Sequence, residues 1–202
     1  MKLYSHPASP FGRKCKIVAH ELGLKLEIVV VAARDDEELR KINPLKKIPI
    51  LVLDDGSSLF DSRVICEYLN EMGGGKFFPG MTVWRPTSGR WKALGLQALA
   101  DGIMDAGVLG RGEILRPAGE KSEKFIALQK TKLNNSMDAL EKEADSFGEG
   151  IDIGLIAVAA ALGYMDFRYA SENWRSTRPK LARWYDRFAQ RPSMQTTVPK
   201  DA

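Results

Sequence analysis

Two serines and a proline stand where a folded chain leaves backbone groups unpaired. Ser9 is followed by Pro10, and proline at the first helical position is a start signal, so Ser9 falls at a helix N-terminus. Ser62, preceded by Asp61, opens a second helical pattern, and the first turn of a helix presents N–H groups without partners. Such a place suits a small zwitterion. The amides and the Ser62 hydroxyl can hold a carboxylate while Asp61 takes an ammonium. The plainer reading of the same pair is a helix cap. Pro49 stands at a strand start, where it gives up a backbone donor and where its preceding bond is cis for only about 0.5–1 kcal/mol. A cis Ile48–Pro49 bond would turn the Ile48 N–H and C=O outward, free to pair with an extended ligand as an added strand would.

The scaffold for these residues can be read from the pattern around them. Residues 46–69, KKIPILVLDDGSSLFDSRVICEYL, read as strand, tight turn at Asp55-Gly56, strand and helix. Before them, residues 2–5 read as a strand, 6–9 as a loop, and Pro10 to Gly23 as a helix. In that helix Phe11, Cys15, Val18, Ala19 and Leu22 recur on one face, which leaves Arg13, Lys14, Lys16 and Glu21 mostly outside. Residues 26–31 give a second strand, parallel to the first through a right-handed crossover. Residues 35–42 form a short polar helix stopped by Asn43-Pro44. The order is β-α-β-α-β-β-α. Gly73-Gly74-Gly75 and Pro79-Gly80 then mark a change of composition. Beyond it only helices are expected, over residues 87–115, 122–146, 152–169 and 179–190. The stripe Ile126, Leu133, Met137, Leu140, Ala144 marks the second, and the third is apolar on nearly every side, so it belongs at the centre of a bundle. The expected domains are 1–75, a linker at 76–85, and an α-helical domain at 86–202.

The totals exclude several classes. With 202 residues and 44% hydrophobic content the chain can bury a core without staples. Its net charge of +4 is spread along the chain rather than clustered, which argues against nucleic acid. The longest apolar run, residues 153–165, is short of the roughly 20 residues that span a bilayer. Cys15 and Cys66 both fall in helices, show no CxxC or metal-ligand spacing, and read as buried small hydrophobes in a reducing compartment. With no basic-then-apolar leader, a cytoplasmic location is expected.

Lys47-Ile48-Pro49 and Asp61-Ser62 together resemble the glutathione-binding half of the glutathione S-transferases, a thioredoxin-like domain followed by a helical one. In the helical half, ALADGIMDAG and GYMDFR are similar to a bacterial branch of that family, and Asp152 stands at the start of the central helix, where Leu155 lacks the carboxylate of a capping box. The resemblance implies that Ser9 is the catalytic residue, donating a hydrogen bond to the glutathione sulfur and favouring thiolate. Lowering a thiol pKa of about 8.5 by two units requires roughly 2.7 kcal/mol. A hydrogen bond to a charged group contributes about 1.5–3 kcal/mol and a helix N-terminus about 0.3–1. One serine at one helix start suffices.

Serine in place of cysteine cannot form a mixed disulfide, so conjugation or thiol-dependent peroxide reduction is favoured over thiol transfer. Lys47, Ile48, Pro49, Asp61 and Ser62 would bind the tripeptide, and Met104, Val108, Leu109 and Trp174 would wall the pocket of an electrophilic, largely apolar second substrate. Tyr4 reads as core or wall, and His6 as a solvated loop residue. Asp101 and Asp105, four apart on one helix face, read as solvent-exposed; in the homodimer that the resemblance implies, one of them would reach the partner's γ-glutamyl ammonium. The expected function is a homodimeric glutathione transferase acting in detoxification, with glutathione as co-substrate, no metal and no membrane or nucleic-acid partner. The alternatives are a glutathione-dependent peroxidase or isomerase, or a non-catalytic binding or assembly module.

Overall fold

The computed structural model describes residues 1–31, 39–80 and 89–201. Strand β1 (Lys2–Ser5) pairs in parallel with β2 (Glu27–Val30), and helix α1 (Pro10–Glu21) forms the crossover between them. Helix α2 is Leu39–Ile42; residues 35–38 of the expected helix lie outside the described residues. Strands β3 (Ile50–Val52) and β4 (Ser58–Leu59) make the hairpin, turning through Gly56 at a φ of 86° that a side chain would resist. Helix α3 (Ser62–Met72) comes next. The sheet order is β2-β1-β3-β4, with β1 and β3 antiparallel.

Alternation along β1 divides its side chains between two cores. Leu3 joins Leu51 and the buried faces of α1 and α3 in the main core, which continues into the helical half. Tyr4 packs on the opposite face with Val31, Leu39 and Ile50. It is therefore a wall residue, as expected, on the face away from α1.

The helical half comprises α4 (Gly89–Ile114), α5 (Glu123–Glu143) with a 3-10 turn at Ala144–Ser146, α6 (Ile153–Arg168), a 3-10 turn at Ala170–Glu172, α7 (Trp174–Thr177), α8 (Pro179–Phe188) and α9 (Pro192–Gln195). Residues 87 and 88 of the expected first helix lie outside the described residues. Helices α7 and α9 are single turns, too short to show a period. Asp152 caps α6 as expected, accepting from the Leu155 N–H at 2.9 Å. An unbroken run of α6 side chains from Ile153 to Met165 is buried, with α4 and α1 packed against it. Gly154 permits the α4 approach, since a Cβ there would lie 2.5 Å from the Ala93 carbonyl. No single helix among the described residues is long and apolar enough to cross a membrane. The first part of the expected linker is anchored: Phe77 and Phe78 are buried, and Phe77 bonds Asn70 Oδ1 through its N–H and Ile153 N through its carbonyl. Residues 81–85 lie outside the described residues.

Helix α1 corrects one expectation. Arg13 and Lys14 are buried, at 3% and 0% exposure, not outside. The reason is that α1 has two packed faces, one on the sheet and α3, the other on the helical half. Lys14 Nζ lies 2.6 Å from Asp101 Oδ1 of α4, and Arg63 Nε of α3 lies 2.8 Å from Oδ2. Asp101 is itself 1% exposed, which corrects the expectation that it faces solvent. Arg13 reaches the Met194 carbonyl at 3.1 Å and passes over Gly163, where a Cβ would lie 2.0 Å from its Nη1.

Breaking a buried ion pair leaves a charge without compensation and typically costs about 3–5 kcal/mol. Asp101→Asn should therefore lower stability by about that amount in denaturant unfolding, whereas Asp105→Asn on the exposed face should cost less than about 0.5 kcal/mol. Equal losses would show that Asp101 is hydrated like a surface residue.

Candidate functional site

Register brings the candidate residues to one end of the sheet. Tyr4 lies opposite Ile50 and Leu51 opposite Leu59, so the end of β1, the start of β3 and the end of β4 meet on one side. The segments leaving that side carry Ser9, Lys47-Ile48-Pro49 and Asp61-Ser62. The starts of α1 and α3 lie there as well.

Ser9 is the N-cap of α1, in extended conformation, and its Oγ accepts from the Gly12 N–H at 3.1 Å. It is half-buried, and among the described residues its hydroxyl donates to no protein acceptor. The cap thus uses an oxygen lone pair and leaves the proton available. The loop before it is tightly made: Ser9 N–H bonds the His6 carbonyl at 2.9 Å, and Ala8 N–H bonds His6 Nδ1 at 3.1 Å. His6 is accordingly a loop-forming residue rather than a freely solvated one. Gly12 is required by its neighbours, because a Cβ there would fall 1.9 Å from Ser5 Oγ beneath the first turn.

The Ile48–Pro49 bond is cis. Ile48 is half-buried, and its N–H and C=O bond no group among the described residues. Asn43 holds this segment in place. Its Nδ2 donates to the Lys47 carbonyl at 2.8 Å, its Oδ1 accepts from Leu45 N–H at 3.0 Å, and its own carbonyl accepts from Lys46 N–H at 2.9 Å. The sequence reads Asn43 only as a helix stop; its buried amide is what shapes the approach to Pro49. Lys47 itself is exposed.

Asp61 caps α3, its Oδ1 accepting from the Arg63 N–H at 2.8 Å, while Ser62 is buried below it. Arg63 is a residue that sequence reasoning passes over. Its backbone is bonded to Asp61 and its guanidinium to Asp101, so it ties the helix start to α4. Asp105, one turn beyond Asp101, stays exposed. Partial desolvation pushes its carboxyl up, the charge of Asp101 adds to this, and Lys47 and Arg63 oppose it. Asp105 is therefore within electrostatic reach of Lys47, Asp61 and Arg63.

Family models of the glutathione S-transferase N-terminal domain and C-terminal domain match residues 3–76 and 123–187. The chain belongs to the glutathione S-transferase family. Over 206 aligned residues it is 34% identical to the uncharacterized GST-like protein YibF of Escherichia coli K12, covering all of both chains. A glutathione transferase family member from Pseudomonas fluorescens Pf-5, solved with bound glutathione, is 41% identical with a TM-score of 0.90, over 98% of each chain. A glutathione S-transferase from Methylobacillus flagellatus KT, solved with glutathione bound, is 33% identical with a TM-score of 0.89, over 98% of this chain and 99% of that one.

Within this glutathione S-transferase fold the four expected pocket walls separate. Val108 and Leu109 are 39% and 53% exposed on α4 and remain able to meet a ligand. Met104 is fully buried, and Trp174 is 2% exposed with its indole N–H bonded to Asp166 at 2.8 Å. Those two pack in the core. Helix position alone misplaces them, since α4 turns Met104 toward the core and α7 tucks Trp174 against Tyr185.

Removing a buried hydrogen-bonding partner costs about 1–3 kcal/mol. Asn43→Ala should lower stability by that amount and speed amide exchange at Leu45. Exchange there at the unaltered rate would mean that the segment is held without the Asn43 side chain.

Proposed function

We propose that the protein is a glutathione transferase in which Ser9 activates the glutathione thiol for attack on an electrophilic, largely apolar substrate. The observation that carries this is the joining of three features at one end of the sheet: a capping serine whose proton and an Ile48 backbone whose polar groups are unengaged among the described residues, and the Asp61-Ser62 helix start. Each suits a different part of a γ-glutamyl tripeptide. The α3 N-terminus and Ser62 take the γ-glutamyl carboxylate, Asp61 takes its ammonium, and the Ile48 backbone pairs with the cysteinyl residue. Exposed Lys47 offers a cation to a carboxylate. The sulfur then lies over the start of α1, where the Ser9 O–H donates to it. The relatives solved with glutathione bound support glutathione as the ligand.

The chemical step is a nucleophilic displacement or addition. The thiol proton leaves to solvent, the thiolate attacks the electrophilic carbon, and the new C–S bond forms as the leaving group departs or the acceptor bond shifts. Ser9 holds the thiolate without exchanging a bond with it. Val108 and Leu109 lie on the side of the second substrate. We further propose a cytoplasmic homodimer that removes electrophiles. Asp101 is committed to Lys14 and Arg63, so Asp105 is the acidic residue of this helix face that would extend toward a partner's ammonium. Light scattering that gives the mass of one chain would overturn the dimer.

Calorimetric titration with glutathione, together with thiolate absorbance in the ultraviolet and turnover of a chlorodinitrobenzene, tests the site. Ser9→Ala should hold glutathione affinity within several-fold, abolish the thiolate signal and cut turnover by about 10²-fold, as loss of a positioned donor does. Ser62→Ala should weaken affinity with a smaller effect on the chemical step. Binding without thiolate in the unaltered protein would favour the non-catalytic binding module instead.

A further inference from the structure

Two groups with chemistry of their own are unused by this mechanism. Cys15 of α1 and Cys66 of α3 are both fully buried, and their sulfurs lie 3.8 Å apart. The Cys66 thiol points to Cys15 Sγ, and the Cys15 thiol points to the Ser62 carbonyl, also at 3.8 Å. The two thiols therefore form a short chain that ends on the α3 start. Cys15 lies on the helix opened by Ser9 and Cys66 one turn after Ser62, so the pair bridges the two helices whose N-termini make the site.

We propose that Cys15 and Cys66 are a built-in dithiol that a hydroperoxide converts to a disulfide, and that this disulfide weakens glutathione binding at the adjoining helix starts. The second half of the proposal rests on the glutathione reading of that site. One thiol attacks the peroxide O–O bond, giving a sulfenic acid and releasing the alcohol or water. The second thiol attacks the sulfenic sulfur, forms the S–S bond and releases water. Each cysteine gives up one electron and one proton, and the peroxide takes up both pairs.

A disulfide needs sulfurs about 2.05 Å apart, so the pair must close by roughly 1.8 Å. In a close-packed interior that closure is shared between side-chain rotation and movement of α1 against α3. It also removes the thiol proton that faces the Ser62 carbonyl. Burial, reinforced by Cys66, pushes the Cys15 thiol up, which lowers its thiolate fraction and slows its attack on a peroxide. A lone buried cysteine would have no resolving partner; here the partner is already in contact.

The test uses the purified full chain, freed of reductant, with and without hydrogen peroxide. Binding is read by calorimetry with S-methylglutathione, which has no thiol to reduce the disulfide. The expected result is a Cys15–Cys66 crosslinked peptide by mass spectrometry, two fewer titratable thiols after denaturation, and an affinity loss of about tenfold. Dithiothreitol should restore it. Cys66→Ala and Cys15→Ala should each bind normally when reduced and keep that affinity under peroxide. Absence of the crosslinked peptide from folded protein overturns the proposal, and a crosslink with unchanged affinity overturns the coupling. Reduced protein that fails to bind S-methylglutathione overturns the glutathione reading, while the crosslink stays readable by mass.

Discussion

The carboxylate of Asp101 is the charge around which three helices close. Lys14 is fully buried, so its ammonium is tolerable in the interior only while Asp101 stands 2.6 Å away. The second oxygen of the same carboxylate receives Arg63, whose backbone N–H is in turn bonded to the Asp61 cap. Displacing α4 would strand a buried lysine, and displacing α3 would leave one carboxylate oxygen unpaired. The two helix starts that carry Ser9 and Asp61 are thus held against the helical half by one group. The penalty for an unpaired buried charge, more than the attraction itself, is what makes this arrangement rigid.

Close backbone approach completes the joining of the halves. Helix α6 is apolar around its circumference, and glycine allows neighbours to come near: Gly154 admits Ala93 of α4, and Gly163 admits the guanidinium of Arg13. Arg13 differs from Lys14 in pairing with neutral groups. Its bonds go to the Met194 carbonyl and toward Thr197, and its Nη1 has no partner among the described residues. A guanidinium is less strongly hydrated than an ammonium and stacks into flat gaps, which suits it to the neutral slot while lysine takes the anion.

Local chemistry is legible in the sequence, and long-range chemistry is not. Pro10 after Ser9, Asp61 before Ser62, Asp152 before the apolar run and Asp55-Gly56 between strands each depend on bonds within a few residues, and each stands where expected. Arg13 and Lys14 are misplaced by a helical period, which puts polar residues outside unless a counter-charge is known, and the counter-charge of Lys14 stands on α4. Met104 and Trp174 fail for a related reason. Their exposure depends on how α4 and α7 are rotated against the core, which no local pattern records. Asn43 is legible as a stop signal only, since its amide bonds close a turn whose shape depends on the course of residues 45–47 beyond it.

The two descriptions of Ser9, as cap and as donor, are usually set against each other, yet the geometry makes them cooperative. A hydroxyl has two acceptor sites and one proton, and the Gly12 N–H engages an acceptor site. Accepting a bond polarises the O–H and strengthens the bond it can donate. An anion placed above Ser9 would meet that proton and the Phe11 N–H, which bonds no group among the described residues, whereas Pro10 has no N–H and those of Gly12 and Arg13 bond Ser9. Gly12 contributes twice, by supplying the N–H and by leaving room for Ser5 beneath it. The residue that stabilises the helix start is therefore also the one whose free proton makes that start more favourable to a negative charge.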